Sequence, residues 1–223
     1  MLFKDRADAG RRLSSRLSQF AGHHGVLVLA LPRGGVPVGF EIARALTSPL
    51  DVLVVRKLGV PGQEELAMGA IASGGIHVIN SGIVHALDIS VQQVEETVAH
   101  EQRELERREQ LYRGNRKAPD IRDHTVILVD DGVATGSTMR VAISAVRQQN
   151  PALLIVAVPV GSNSVCQQLD NVADSVICLH APIDFYAVGQ WYQSFTQTSD
   201  EEVRELLDRA VSRRISALRE SWI

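Results

Sequence analysis

Four short runs restrict the architecture open to this chain: GVLVLAL (25–31), LDVLVV (50–55), TVILV (125–129) and LLIVAV (153–158). Each is rich in β-branched residues, lacks apolar/polar alternation and is bounded by Gly, Pro, Asp or Arg. A strand that is apolar throughout has no solvated face, so these runs suit a parallel sheet covered on both sides. Helical patterns at 36–46 and 137–149 lie between them. Strands alternating with helices predict an α/β fold, a doubly wound, mainly parallel sheet flanked by helices. AIASGGIHVIN (70–80) reads as a hairpin turning at Gly74-Gly75, an antiparallel addition to that sheet.

With 223 residues, 45% of them hydrophobic, the chain is long enough to bury a full core and short enough for one α/β domain over 1–223. The opening FKDRADAGRRLSSRLSQF carries Leu13, Leu17 and Phe20 at helical spacing and predicts an amphipathic first helix. Segment 90–113 is a highly charged helix with a thin apolar stripe (Val91, Val94, Val98, Leu105, Tyr112). Glu104 with Arg108 and Glu109 with Arg113 stand in the favourable i,i+4 order, so a solvated face is expected, with an oligomer contact as the alternative. The last helix has Ser199 as N-cap and Glu202 three residues on, then Val203, Leu206, Leu207, Ala210, Ile215 and Leu218 at core spacing.

Charge and cysteine content exclude several functions. A formal net charge of −3 provides no electrostatic footprint for nucleic acid, so any anion must be bound locally. Cys166 and Cys178 form neither a disulfide framework nor a metal-ligand pattern with histidine. No window of eighteen apolar residues and no secretion signal occur, so a cytoplasmic protein without a membrane partner is expected.

Ligands of open α/β sheets bind outside the carboxyl ends of the strands, where strand order reverses. Those ends read PRGG (32–35), RK (56–57) and DDGVATGST (130–138). In the third, Gly132 and Gly136 permit a tight turn with inward amides, and the helix starting there offers unpaired N–H groups and a positive dipole end. Thr135, Ser137 and Thr138 add hydroxyls to this phosphate cradle. A Walker A loop is excluded because no Lys follows Gly136.

Taken alone, such a turn also describes a capped helix start. Asp130 and Asp131 shift the balance, because paired carboxylates at a buried strand end repel unless a ligand brings donors or a cation. A metal-only reading stays open; beside the cradle, a ribose 5′-phosphate fits better. Gly34 and Gly35, with Arg33 adjacent, present amides and a guanidinium to a second anion. Arg56 and Lys57 add two further cations, and incidental surface charge on glycine-rich turns is the alternative for each loop taken singly.

VILVDDGVATGST resembles the signature of the type I phosphoribosyltransferases: an apolar strand, two acidic residues and a loop closing in T-G-x-T. LPRGGVPVG is similar to that family's pyrophosphate loop, and LPRGGVPVGFEIA, VRKLGVPGQEELAMGAIA, VDDGVATGSTMR and FYAVGQWYQSFTQTSDEEV together resemble a bacterial and archaeal subgroup of it. The resemblance implies a transferase moving phosphoribosyl from phosphoribosyl pyrophosphate to a nitrogenous base or similar nucleophile, with Mg²⁺. It implies that Asp130 and Asp131 hold the ribose hydroxyls, directly or through metal-bound water. It assigns Ala134, Thr135, Gly136, Ser137 and Thr138 to the 5′-phosphate, and Pro32, Arg33, Gly34, Gly35, Arg56 and Lys57 to pyrophosphate. A non-proline cis peptide is implied at Pro32–Arg33.

LGVPGQEELAMG (58–69) resembles the loop that closes over the family's active site, a plain surface turn being the alternative. Ala134 stands where hypoxanthine-guanine enzymes carry an Asp that handles the purine's proton. Adenine enzymes also have Ala there and use a glutamate of the closing loop, which nominates Glu64 or Glu65 as general base. HAPIDFYAVGQWYQSF (180–195) resembles the C-terminal hood that stacks on the base, nominating Phe185 or Tyr186. Aromatic residues make up 4% of the chain, yet five fall between 185 and 195, a concentration that suits a platform for a flat ligand as well as a core. The reading predicts a homodimeric enzyme. A non-catalytic regulator sensing the same ligand is the alternative.

Overall fold

The structure is a computed structural model describing the backbone of residues 2–220 and the side chains of residues 2–213. Its strands are β1 (Val26–Ala30), β2 (Leu50–Val52), β3 (Val55–Val60), β4 (Gln63–Ala72), β5 (Ile76–Ile79), β6 (Thr125–Val129), β7 (Leu153–Val160) and β8 (Ser175–His180). The helices are α1 (Arg6–Ser14), α2 (Gly35–Leu46), α3 (Ser81–Ala86), α4 (Val91–Arg113), α5 (Ser137–Arg147), α6 (Asn163–Asp170) and α7 (Asp200–Glu220). No helix among the described residues is long and apolar enough to cross a membrane.

The main sheet runs β2-β1-β6-β7-β8 with every pair parallel. Its unalternating strands bury both faces. Val26, Val28, Ala30, Ile127 and Val129 join Ile42 of α2 and Val203 of α7 in one core. Leu27, Leu29, Val126 and Leu128 join Met139, Ile143 and Val146 of α5 in the other. Each fully buried Val, Leu or Ile contributes about 1.5–3 kcal/mol, so packing from both sides holds the strand ends in register.

The run 50–55 is two strands, not one. Leu50–Val52 belongs to the main sheet, whereas Val55 opens a second, antiparallel sheet of order β3-β4-β5. Ser73 pins the departure: its amide donates to the Val54 carbonyl at 2.9 Å and its hydroxyl accepts from the Val54 amide at 2.9 Å. The hairpin at Gly74-Gly75 is present, with φ of 88° and 74° at the two glycines, but it belongs to this second sheet. Segment 58–69 forms most of another hairpin, turning at Pro61-Gly62.

Helix α4 has the solvated charged face expected of it, with Glu95, Glu96, Arg103, Glu106 and Arg107 exposed. The predicted Glu104–Arg108 and Glu109–Arg113 pairs form at 2.9 and 2.6 Å. Even so, Leu105, Tyr112 and Arg113 are buried, because the apolar stripe packs against β3 and α7. Arg113 also donates to Asp51 at 2.9 and 3.1 Å and to the Val52 carbonyl, tying the helix end to β2. At α7 the expected cap forms, Ser199 Oγ accepting from the Glu202 amide at 3.1 Å, and Val203 and Leu207 are buried. Ile215 and Leu218 lie outside the described side chains.

Candidate functional site

From β1 the chain steps outward to β2, then returns to place β6 on the other side of β1, so strand order reverses between β1 and β6. Ala30 is in register with Val129, and the Leu31 amide donates to the Val129 carbonyl at 2.8 Å. The PRGG loop and the DDGVATGST loop therefore leave the sheet side by side. Their approach is so close that side chains are excluded. A Cβ on Gly34 would lie 2.0 Å from Asp131 Oδ2, and one on Gly35 would lie 2.7 Å from the Val129 carbonyl and 3.0 Å from Asp130 Cα. The Pro32–Arg33 peptide is cis.

Gly136, at φ 73°, turns the chain into α5, and Thr135, Ser137 and Thr138 stand exposed around that helix start. Thr135 Oγ1 and Ser137 Oγ are 3.2 Å apart, two hydroxyls facing one spot above the first turn. A helix start of this kind favours an anion through its amides and dipole.

Beside it, Asp130 Oδ1 accepts the Asp131 amide at 2.8 Å. Burial, with the neighbouring Asp131 charge second, pushes the Asp130 carboxyl well above its ordinary range. Burial also raises Asp131, opposed by Arg6, whose Nε donates to Asp131 Oδ2 at 2.7 Å. The Tyr192 hydroxyl donates to the Asp131 carbonyl at 2.6 Å. Residues of the N-terminus and hood thus close on the acid pair, neither signalled by a local motif. Mg²⁺ keeps several waters and is held by one or two carboxylates plus substrate phosphates. Among the described residues no group of three or more His, Cys, Asp or Glu could hold a metal unaided, so the two aspartates fit Mg²⁺ as part of a ligand complex.

Arg33 and Arg56 are paired with carboxylates, whereas Arg56 and Lys57 share a cleft with Pro32. Arg33 lies 3.8 Å from Asp200 Oδ1, which also accepts the Tyr112 hydroxyl at 2.6 Å. Burial, followed by that bond to Asp200, pushes the Tyr112 phenol up to about 12. Arg56 is engaged by Glu101 of α4, at 2.7 Å through Nε and 2.6 Å through a terminal nitrogen. Lys57 is exposed and lines a cleft of about 930 Å³ together with Pro32, Arg56, Glu64, Glu96, His100 and Thr138. Of the two hairpin glutamates, Glu64 lines this cleft, and Glu65 is exposed outside it.

Neither Phe185 nor Tyr186 lines that cleft. Phe185 packs against a cluster containing Phe3 and Tyr192, and Tyr186 is 86% exposed. The aromatic concentration at 185–195 has a structural use: Tyr192 packs against Phe3 and Phe195, and Trp191 meets His180 edge-on.

The sequence matches the family described as "Phosphoribosyl transferase domain" over residues 3–192. Two Mycobacterium tuberculosis proteins, each named "Putative phosphoribosyl transferase" (MT0597 in strain CDC 1551 / Oshkosh and Rv0571c in strain ATCC 25618 / H37Rv), are 46% identical to it over 209 residues, 94% of this chain. The chain spans about half the length of these curated relatives, 47% of each. The crystal structure of TT1426 from Thermus thermophilus superposes with a TM-score of 0.80 at 41% identity, covering 93% of this chain and 98% of that one.

Proposed function

The chain belongs to the phosphoribosyl transferase domain family, and from that membership we propose that it transfers the 5-phosphoribosyl group of phosphoribosyl pyrophosphate to a nitrogenous base or similar nucleophile, releasing pyrophosphate. The observation that carries this reading is the close approach of Gly34 and Gly35 to Asp131 and Asp130 at the strand-order reversal, which brings two glycine-rich loops together beside a carboxylate pair. A ribose with phosphate at one end and pyrophosphate at the other matches that spacing of chemistries.

In this mechanism Ala134 to Thr138 bind the 5′-phosphate through backbone amides and hydroxyls. Asp130 and Asp131 hold the ribose hydroxyls, directly or through metal-bound water. The bond between the anomeric carbon and pyrophosphate breaks as a bond to the acceptor nitrogen forms, so catalysis rests on stabilising the departing charge and positioning the nucleophile. Arg33, Lys57 and the amides of Gly34 and Gly35 take up that charge, with Arg56 joining after release from Glu101. Asp130 or Asp131 would hold Mg²⁺, which would supply positive charge toward the departing pyrophosphate. The proton lost by the acceptor goes to a hairpin glutamate, Glu64 being the one on the cleft and Glu65 its neighbour. Phe185 or Tyr186 meets a base from the hood side.

Titration calorimetry with phosphoribosyl pyrophosphate and Mg²⁺, followed by a screen of purines and pyrimidines for pyrophosphate release, tests this reading. Binding lost in Asp130→Asn/Asp131→Asn, with release for at least one base, is expected. No binding by the wild type refutes the site; binding without release by any base removes the transferase step.

A further inference from the structure

Arg6 belongs to none of the loops that carry the proposed chemistry, yet it lies where they meet. It is the first residue of α1, which Asp5 caps by accepting the Asp8 amide at 2.7 Å. The segment before it is zipped to the hood: the Phe3 amide donates to the Trp191 carbonyl at 2.8 Å, and the Gln193 and Ser194 amides donate to the Phe3 and Lys4 carbonyls at 2.8 and 2.9 Å. So anchored, the guanidinium makes two hydrogen bonds and one ring contact. Nε donates to Asp131 Oδ2 at 2.7 Å, a terminal nitrogen donates to the Thr196 carbonyl at 2.6 Å, and the planar face lies 3.9 Å from the Phe195 ring centroid. The two charged side chains are only 11% and 14% exposed. The Tyr192 hydroxyl holds the Asp131 backbone from the other side.

These contacts treat the two aspartates unequally. Asp131 carries a permanent cation, whereas Asp130 accepts from the Asp131 amide. A guanidinium on a carboxylate oxygen cancels much of the field that would draw a second cation to it, and it fixes the remaining lone pairs in direction.

Resting on the reading of the acid pair given above, we propose that Arg6 is a positioning residue that serves as the built-in counter-ion of Asp131, orienting it to accept from a ribose hydroxyl and leaving Asp130 as the carboxylate that meets a divalent cation. The site is divided into one carboxylate for the sugar and one for the metal. A single ammonium can neutralise Asp131 but cannot orient it, because it lacks the fork that reaches Asp131 and Thr196 together and the plane that stacks on Phe195.

The test uses Arg6→Met, which keeps length and an apolar contact with Phe195 while deleting charge and donors, and Arg6→Lys, which keeps charge without the fork. Mn²⁺ alone is titrated by electron paramagnetic resonance, and phosphoribosyl pyrophosphate with saturating Mg²⁺ by calorimetry. An opposite charge this close shifts carboxylate equilibria by about a factor of ten or more. In Arg6→Met, Mn²⁺ affinity is therefore expected to rise about tenfold and ligand affinity to fall about tenfold. In Arg6→Lys, Mn²⁺ affinity stays near that of the wild type while ligand affinity falls.

A role confined to holding the hood would lower thermal stability without raising Mn²⁺ affinity, and that result overturns the proposal. Tighter ligand binding in Arg6→Met also overturns it, since Arg6 would then compete with the sugar. If Arg6→Met does not fold, Arg6→Lys decides the matter: ligand affinity equal to the wild type refutes the positioning role. Failure of the wild type to bind the ligand refutes the ribose role of Asp131, while the Mn²⁺ titration still decides whether Arg6 is its counter-ion.

Discussion

Gly34→Ala isolates the contact on which the site depends. Gly34 has φ −61° and ψ −31°, a conformation that alanine adopts freely, so the substitution introduces no backbone strain. Its only new atom would lie 2.0 Å from Asp131 Oδ2 and 2.6 Å from Asp131 Cγ. Relief to van der Waals distance requires the carboxylate to retreat by about 1 Å, and misplacement of that size costs about 10²-fold in an active site.

The same retreat breaks the 2.7 Å bond from Arg6. A hydrogen bond to a charged group contributes about 1.5–3 kcal/mol, from which the reduced unfolded-chain entropy of alanine recovers about 0.4–1. A net loss of about 0.5–2.6 kcal/mol corresponds to a melting temperature lower by roughly 1–10 °C for a domain of this size. Differential scanning calorimetry and ligand titration read the two effects on one sample. A variant that binds phosphoribosyl pyrophosphate and melts like the wild type would refute the contact between the two loops.

Three further outcomes follow from the geometry. Asp130→Asn keeps the acceptor for the Asp131 amide and removes a carboxylate whose folded-state titration lies above its unfolded value. The cost of that carboxylate is absent below its unfolded value, grows as pH rises from the unfolded to the folded value and is full above the latter, so the variant should be more stable than the wild type near neutrality, with the gap closing in acid, as thermal melts across pH will check. Arg113→Met strands Asp51 and Glu109 and should cost about 3–5 kcal/mol in urea unfolding, as expected when one partner leaves a buried ion pair. Tyr112→Phe deletes the hydroxyl bonded to Asp200 beside Arg33, and should cost about 1 kcal/mol while raising the KM for phosphoribosyl pyrophosphate more than it lowers kcat.

The strands β1, β6 and β7, the helices α2 and α5 and the two glycine loops were legible because each depends on local order: period, β-branching, and glycine where a chain must turn. Strand β8 was missed because its apolar run, Val176 to Leu179, is only four residues long, as suits a half-buried strand at the edge of the sheet. Run 50–55 misled because its apolar continuity persists across a break between two sheets, and only the hydrogen bonds of Ser73 reveal where one ends. Charge spacing in α4 predicted its ion pairs and its solvated face but not which elements cover its apolar stripe, because an i,i+4 pair forms equally well whatever packs on the other face.

By itself the sequence determined that a parallel sheet would carry a glycine- and hydroxyl-rich helix start, an acid pair and a second glycine loop at its strand ends, since residue type and spacing along one short segment specify each. Tertiary structure alone decided the partners: Arg6 on Asp131, 125 residues away; Tyr112 on Asp200, 88 away; Glu101 on Arg56, 45 away. A charge announces that it needs a counter-charge but not which one. Among 23 basic and 26 acidic side chains, only the packing of α1, α4, α7 and the hood around the sheet brings particular pairs within hydrogen-bonding distance.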